Sequence, residues 1–237
     1  MFQPWKGDRW GLGDNALGGR RLLVLGESHY SKEFRVGDRD PGMTNWCVTE
    51  FLKGTGGELR PEARRFYAKI TSLVSGRPAD VLSAQDRRDI WDSLTYYNYI
   101  PRIAANEPGV APPEAMWHGE APLAFQDIVR CSEAEAIIVC GARLWARMPE
   151  GLPGAPSFAF EGVQRRARLY APYDAVAAPI WHPSARRGWR AARFRPVLTC
   201  LFRHLEDQRI RNGHPLPPDA ERRLEADATG SQFGAGM

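Results

Sequence analysis

Apolar and polar positions change rhythm several times along the chain, and each change marks an element. The run Leu22, Leu23, Val24, Leu25 is apolar without interruption, the pattern of a strand covered on both faces, and it ends at Gly26. Residues 95–100, 137–141 and 175–180 read as three further strands. Between the strands the period lengthens to that of helices. Pro61 opens one with Phe66, Ile70, Leu73 and Val74 at core spacing, and Gly76 ends it. Ser83 with Asp86 reads as the start of a short helix leading through Ile90 and Trp91 to the second strand. Pro122 begins another, with Phe125, Ile128 and Val129 on one face, and a last stripe of Phe194, Val197, Leu198, Leu201 and Leu205 runs on toward Gly213. Strand and helix alternate, which predicts right-handed parallel crossovers and a three-layer α/β/α sandwich.

The remaining stretches have no such period. Residues 1–19 read as an irregular leader over the sheet edge, 31–57 as a long functional loop with short helical turns, and 149–162 as a Gly- and Pro-rich connection. The tail 212–237 reads as disordered, leaving one α/β domain over residues 20–211. The 237 residues carry a formal charge of +4, and the excess is uneven: Arg186, Arg187, Arg190, Arg193, Arg195 and Arg203 crowd one late segment. Either that segment faces a polyanion, or it is a solvated helix face paired with local carboxylates. Cys47, Cys131, Cys140 and Cys200 are scattered without ligand spacing, so buried free thiols are expected, with no metal and no cofactor. The absence of a long apolar run argues against a signal peptide or membrane span, and a reduced, cytoplasmic, monomeric protein is the expectation.

Candidate chemistry sits at the carboxyl ends of the four strands, where open parallel sheets bind ligands. Strand one delivers Gly26 and Glu27, the second Asn98, the third a glycine turn at Gly141, and the last His182. The segment Gly26-Glu27-Ser28-His29-Tyr30 and the later His182-Pro183-Ser184 resemble motifs one and two of the uracil-DNA glycosylase superfamily. Between them, Tyr97-Asn98-Tyr99 resembles its strand-borne base-reading asparagine, and residues 138–142 its third strand and glycine turn.

The resemblance implies a central four-stranded parallel sheet between helices, a nucleobase pocket at the strand ends and DNA lying across them. The residue types suit N-glycosidic cleavage, which puts positive charge on the sugar and negative charge on the departing base. Glu27 can orient water and His182 can stabilise the leaving base; Asn98 can read a base edge in both directions. Tyr30, Phe34 or Trp46 can stack on the base, beside Gly26 and Ser184. The His182 turn is expected to enter a basic helix whose N-terminus favours phosphate, with Arg186, Arg187, Trp189 and Arg190 holding or wedging the duplex.

Ser28 and His29 stand where the best-known branch carries a water-activating aspartate and a proline. They join the catalytic candidates, and Ser28 leaves two alternatives open. One is a catalytically silent nucleic-acid or nucleobase binding module of the same fold. The other is a serine esterase using Ser28 as nucleophile and His182 as base, although Pro179 occupies the position where such enzymes usually carry an acid. Plain structural roles are the remaining possibility: Glu27 or His182 as caps, and Asn98 satisfying backbone groups.

Overall fold

The computed structural model describes residues 2–184 and 188–212. The leader supplies strand β1 (Trp5–Lys6), and the first apolar run forms β2 (Leu22–Gly26), followed by the short β3 (His29–Tyr30). Helices α1 (Met43–Leu52), α2 (Pro61–Ser75) and α3 (Ala84–Asp92) lead to β4 (Leu94–Asn98) and β5 (Ile103–Ala105). Then come α4 (Glu120–Ser132), β6 (Ala136–Cys140) and α5 (Ala142–Arg147). Strands β7 (Ser157–Phe160), β8 (Val163–Arg166), β9 (Arg168–Tyr170) and β10 (Ala175–Ile180) precede the long helix α6 (Ala191–Arg211).

Local chemistry sets several boundaries. Pro61 occupies the first turn of α2, where its missing N–H costs nothing, and Gly76 closes the helix in the left-handed region at φ 73°. At α3 the Ser83 hydroxyl accepts from the Asp86 N–H while the Asp86 carboxylate accepts from the Ser83 N–H, a reciprocal cap. Strands β2, β4 and β6 are buried at every position because both faces of the sheet are covered.

The strand order is β1-β4-β2-β6-β10-β9, with the four central strands parallel and the two edge strands antiparallel to their neighbours. The fold is therefore α/β with a mostly parallel sheet. That sheet has six strands rather than the expected four, because the leader and residues 168–170 each add a short edge. Two or three residues are too few to show a period of two.

Side chains alternate across each strand, so the two faces can be told apart. Tyr96 packs against Phe66, Tyr67 and Trp91 of α2 and α3, whereas Tyr99 turns the other way, against Trp117 and Phe125 of α4. Helix α6 joins the first face, its Arg195 donating to the Leu73 carbonyl at 2.8 Å. Helix α5 joins the second, with Arg147 over the Trp117 ring. A buried ion pair between Arg20 and Glu206 ties the start of β2 to α6.

Three stretches differ from their sequence reading. Inside the expected loop 31–57 lies the ten-residue helix α1, with no side-chain cap at Gly42 to announce it. The connection 149–162 is partly the hairpin of β7 and β8. The last helix starts at Ala191 behind Arg190, well past the His182 turn, so its N-terminus does not sit at Ser184. The expectations for Arg186, for Arg187 and for the tail from residue 213 lie outside the described residues. Among the described residues, no helix is long and apolar enough to cross a membrane.

Candidate functional site

The connection after β2 leaves toward α1, α2 and α3, and the one after β6 leaves toward α5 on the opposite face. Divergence of this kind opens a crevice at the carboxyl ends of the two strands. A pocket of about 680 Å³ occupies it. Its lining includes Gly26, Glu27, Ser28, His29 and Tyr30 from the end of β2, together with Phe34 and Trp46. Asn98, His182 and Ser184 complete the expected set, and all ten therefore meet in one cavity. Backbone bonds hold the loops there: the Tyr99 N–H donates to the Gly26 carbonyl at 2.9 Å and the Ile100 N–H to that of Glu27 at 3.0 Å.

The Glu27 carboxylate is held by Arg143, whose Nε donates to Oε2 at 2.8 Å and whose second nitrogen bonds the other oxygen. Pairing raises the already high pKa of Arg143, so the guanidinium stays charged. Arg143 did not enter the sequence reading, because an arginine in the first turn of a helix resembles any solvated cation. Its place directly after the Gly141 turn, at a strand end like the other candidates, was the available signal.

His182 is a neutral donor. Its Nδ1 accepts the Ser184 backbone N–H at 3.2 Å and lies 2.6 Å from the Ser184 hydroxyl. A ring nitrogen that accepts a backbone N–H carries no proton, so the proton sits on Nε2. Burial lowers the His182 pKa; Glu27 raises it and Arg143 and Lys69 lower it. Lys69 also donates to the Pro183 carbonyl at 2.6 Å, fixing the turn. Gly141 is required by its backbone, at φ 125°, rather than by space, since a Cβ there would meet His182 Cδ2 at an ordinary 3.5 Å. The esterase geometry is not formed, because Nε2, the nitrogen that would accept from a serine, carries the proton, and no hydrogen bond joins His182 to Ser28 among the described residues.

Asn98 is buried, and the Tyr96 hydroxyl donates to its Oδ1 at 2.9 Å. With Oδ1 so engaged, its Nδ2 is the atom left to donate to a ligand.

Two other candidates have different roles from those expected. The His29 ring is buried, edge-on to Phe2 at 4.9 Å, with Nε2 2.9 Å from Thr44 Oγ1. Desolvation lowers its pKa to about 3, which makes it a neutral structural group rather than an acid or base. Trp189 is 8% exposed, packed on Phe194 and donating to the Trp181 carbonyl at 2.9 Å, so it cannot wedge a duplex. Arg190 is exposed but does not line the pocket. Trp46, 45% exposed, stands on the pocket wall, where an exposed indole can stack on a ligand.

The four cysteines are free. Cys47 and Cys140 are buried and burial raises both thiols, Cys47 to about 12. Cys131 is exposed, against expectation, because Ser132 rather than Cys131 takes the inward position at the end of α4.

Comparison of the chain with family models, with curated proteins and with solved structures gives no match in any of the three.

Proposed function

We propose that this protein is a DNA glycosylase-like hydrolase that takes an extruded nucleobase into the pocket and breaks its N-glycosidic bond. The observation that carries the reading is the convergence of Glu27, Asn98 and a neutral Nε2–H donor on His182 in one cavity at the strand ends. The resemblance of the two strand-end motifs to the uracil-DNA glycosylase superfamily supports it.

In this reaction the bond between C1′ and the base nitrogen breaks and its electron pair leaves with the base. Negative charge develops on the base, where His182 Nε2–H and Asn98 Nδ2 donate to acceptor atoms. Positive charge develops on the sugar, beside the Glu27 carboxylate. Water then bonds to C1′ and releases a proton toward Glu27 and solvent. Arg143 holds the carboxylate in place through both oxygens, and Tyr30, Phe34 and Trp46 supply apolar faces for the base. The test is to incubate the protein with oligonucleotides carrying uracil, hypoxanthine, xanthine or alkylated bases and to cleave any abasic sites formed. Strand scission with at least one of them is expected.

A second reading is a silent binding module of the same pocket, favoured by the same ion pair: both Glu27 oxygens are engaged by Arg143, which leaves them less available to water. It predicts ligand binding with no strand scission on any oligonucleotide of the panel.

A further inference from the structure

The β7–β8 hairpin plays no part in the proposed reaction and lines no part of the pocket, yet Arg193 of α6 joins its turn to Trp181, the residue before His182. The hairpin is a tight ribbon in which Phe160 pairs with Val163 across Glu161 and Gly162, both at positive φ (53° and 74°), the turn that suits the twist of a two-stranded ribbon. Phe158 and Phe160 are buried, and Phe160 stacks on Phe194 of α6 at 5.6 Å, so the arm is anchored. All four residues of β8 are exposed.

The charge on this arm and at the start of α6 is mostly unanswered. Arg166 and Arg190 have no ion pair among those of the described residues, and Arg165 lies over the Phe160 ring at 5.6 Å. Glu161, at the turn, is already paired with Arg193. A solvated strand is the ordinary reading of such a run, but two observations give it a direction. The first is attachment: Arg193 lies 3.7 Å over the ring of Trp181, the residue before His182, so the arm is fixed to the strand end that carries the base-binding histidine. The second is the lining of the pocket itself, where Glu27, Glu33, Asp40, Glu58 and Glu62 outnumber Arg60 and Arg143, so that phosphate is better held outside it.

We infer that the β7–β8 hairpin is a phosphate-binding arm, on which Arg165 and Arg166 hold the sugar–phosphate backbone of DNA, joined by Arg190 at the start of α6. This rests on the reading of the pocket as a base site, since that reading supplies the DNA. Such contacts release counterions, so they set the salt dependence of binding without reading sequence.

The test measures binding of a fluorescent duplex without modified bases over a series of potassium chloride concentrations, for the full chain and for an Arg165→Ala/Arg166→Ala variant. The slope of log affinity against log salt is expected to become shallower by about two, with affinity at low salt reduced roughly tenfold or more. The single variant Arg166→Gln should remove about one, while Arg130→Ala, on α4 and outside the pocket lining, should leave the slope unchanged. An unchanged slope in the hairpin variants, or a parent whose binding does not depend on salt, overturns the inference. So does loss of binding to anionic phospholipid vesicles with the DNA slope intact, which would mark a membrane-facing arm. Base release is scored separately on modified oligonucleotides. Release with an unchanged slope defeats only the arm, and a lost slope without release defeats only the catalytic reading.

Discussion

Gly26 has no room for a side chain: a Cβ there would stand 2.1 Å from Asn98 Oδ1 and 2.9 Å from the Tyr96 hydroxyl. The glycine in the first motif thus serves the asparagine on the neighbouring strand. Gly26→Ala must push Asn98 out of place, and is expected to cost roughly 1–3 kcal/mol in urea unfolding and to weaken ligand binding. His29 gives a pH test. Its folded pKa of about 3 lies below its ordinary 6.5, so the unfolded chain binds the proton first. The stability it contributes is complete above the ordinary value and is lost as pH falls toward the folded one. Between neutral pH and pH about 4.5 the loss attributable to His29 is roughly 2–3 kcal/mol. His29→Gln keeps a partner for Thr44 and should flatten that part of the stability profile measured by urea titration; an identical profile would contradict the assignment. Glu27, Asn98 and His182 were legible because a strand end marks each of them. The role of His29 was not, since it depends on Phe2 and Thr44, whose nearness no local pattern reveals.

Elements with their own punctuation could be read in advance. Pro61 and Gly76 bound α2, the Ser83 and Asp86 pair opens α3, and the apolar run of β6 stands out between polar neighbours. Helix α1 could not be read, because seven of its ten residues are buried, Thr44 and Glu50 among them, and a helix buried on most sides loses its polar stripe. The hairpin was hidden for the opposite reason: β8 is exposed at every position and carries no alternation. What joins elements is also testable. Arg20 and Glu206 form an ion pair with side chains only 9% and 7% exposed, linking β2 to α6. Arg20→Met leaves Glu206 buried and uncompensated and should cost about 3–5 kcal/mol in chemical denaturation. Arg20→Met/Glu206→Met should recover most of that, and a double variant as weak as the single would contradict the pairing argument.

The whole molecule places its chemistry by topology. Parallel strands bring the ends of β2, β4, β6 and β10 to one edge, connections diverge there, and the groups carried by those ends meet in one pocket. This arrangement was legible from the alternation of strand and helix, whereas the edge strands and the distribution of charge around the pocket emerge only in three dimensions. If the pocket hydrolyses a glycosidic bond, Glu27 and His182 each contribute about 10²- to 10⁴-fold to the rate, the usual range for positioned acid–base and electrostatic groups. The direct measurement is single-turnover base release from the best oligonucleotide of the panel, with DNA affinity recorded in parallel for the parent, Glu27→Gln and His182→Ala. Both variants are expected to lose most of the rate while binding DNA within a few fold of the parent, and full activity in Glu27→Gln, or no release by the parent from any base, would contradict the account.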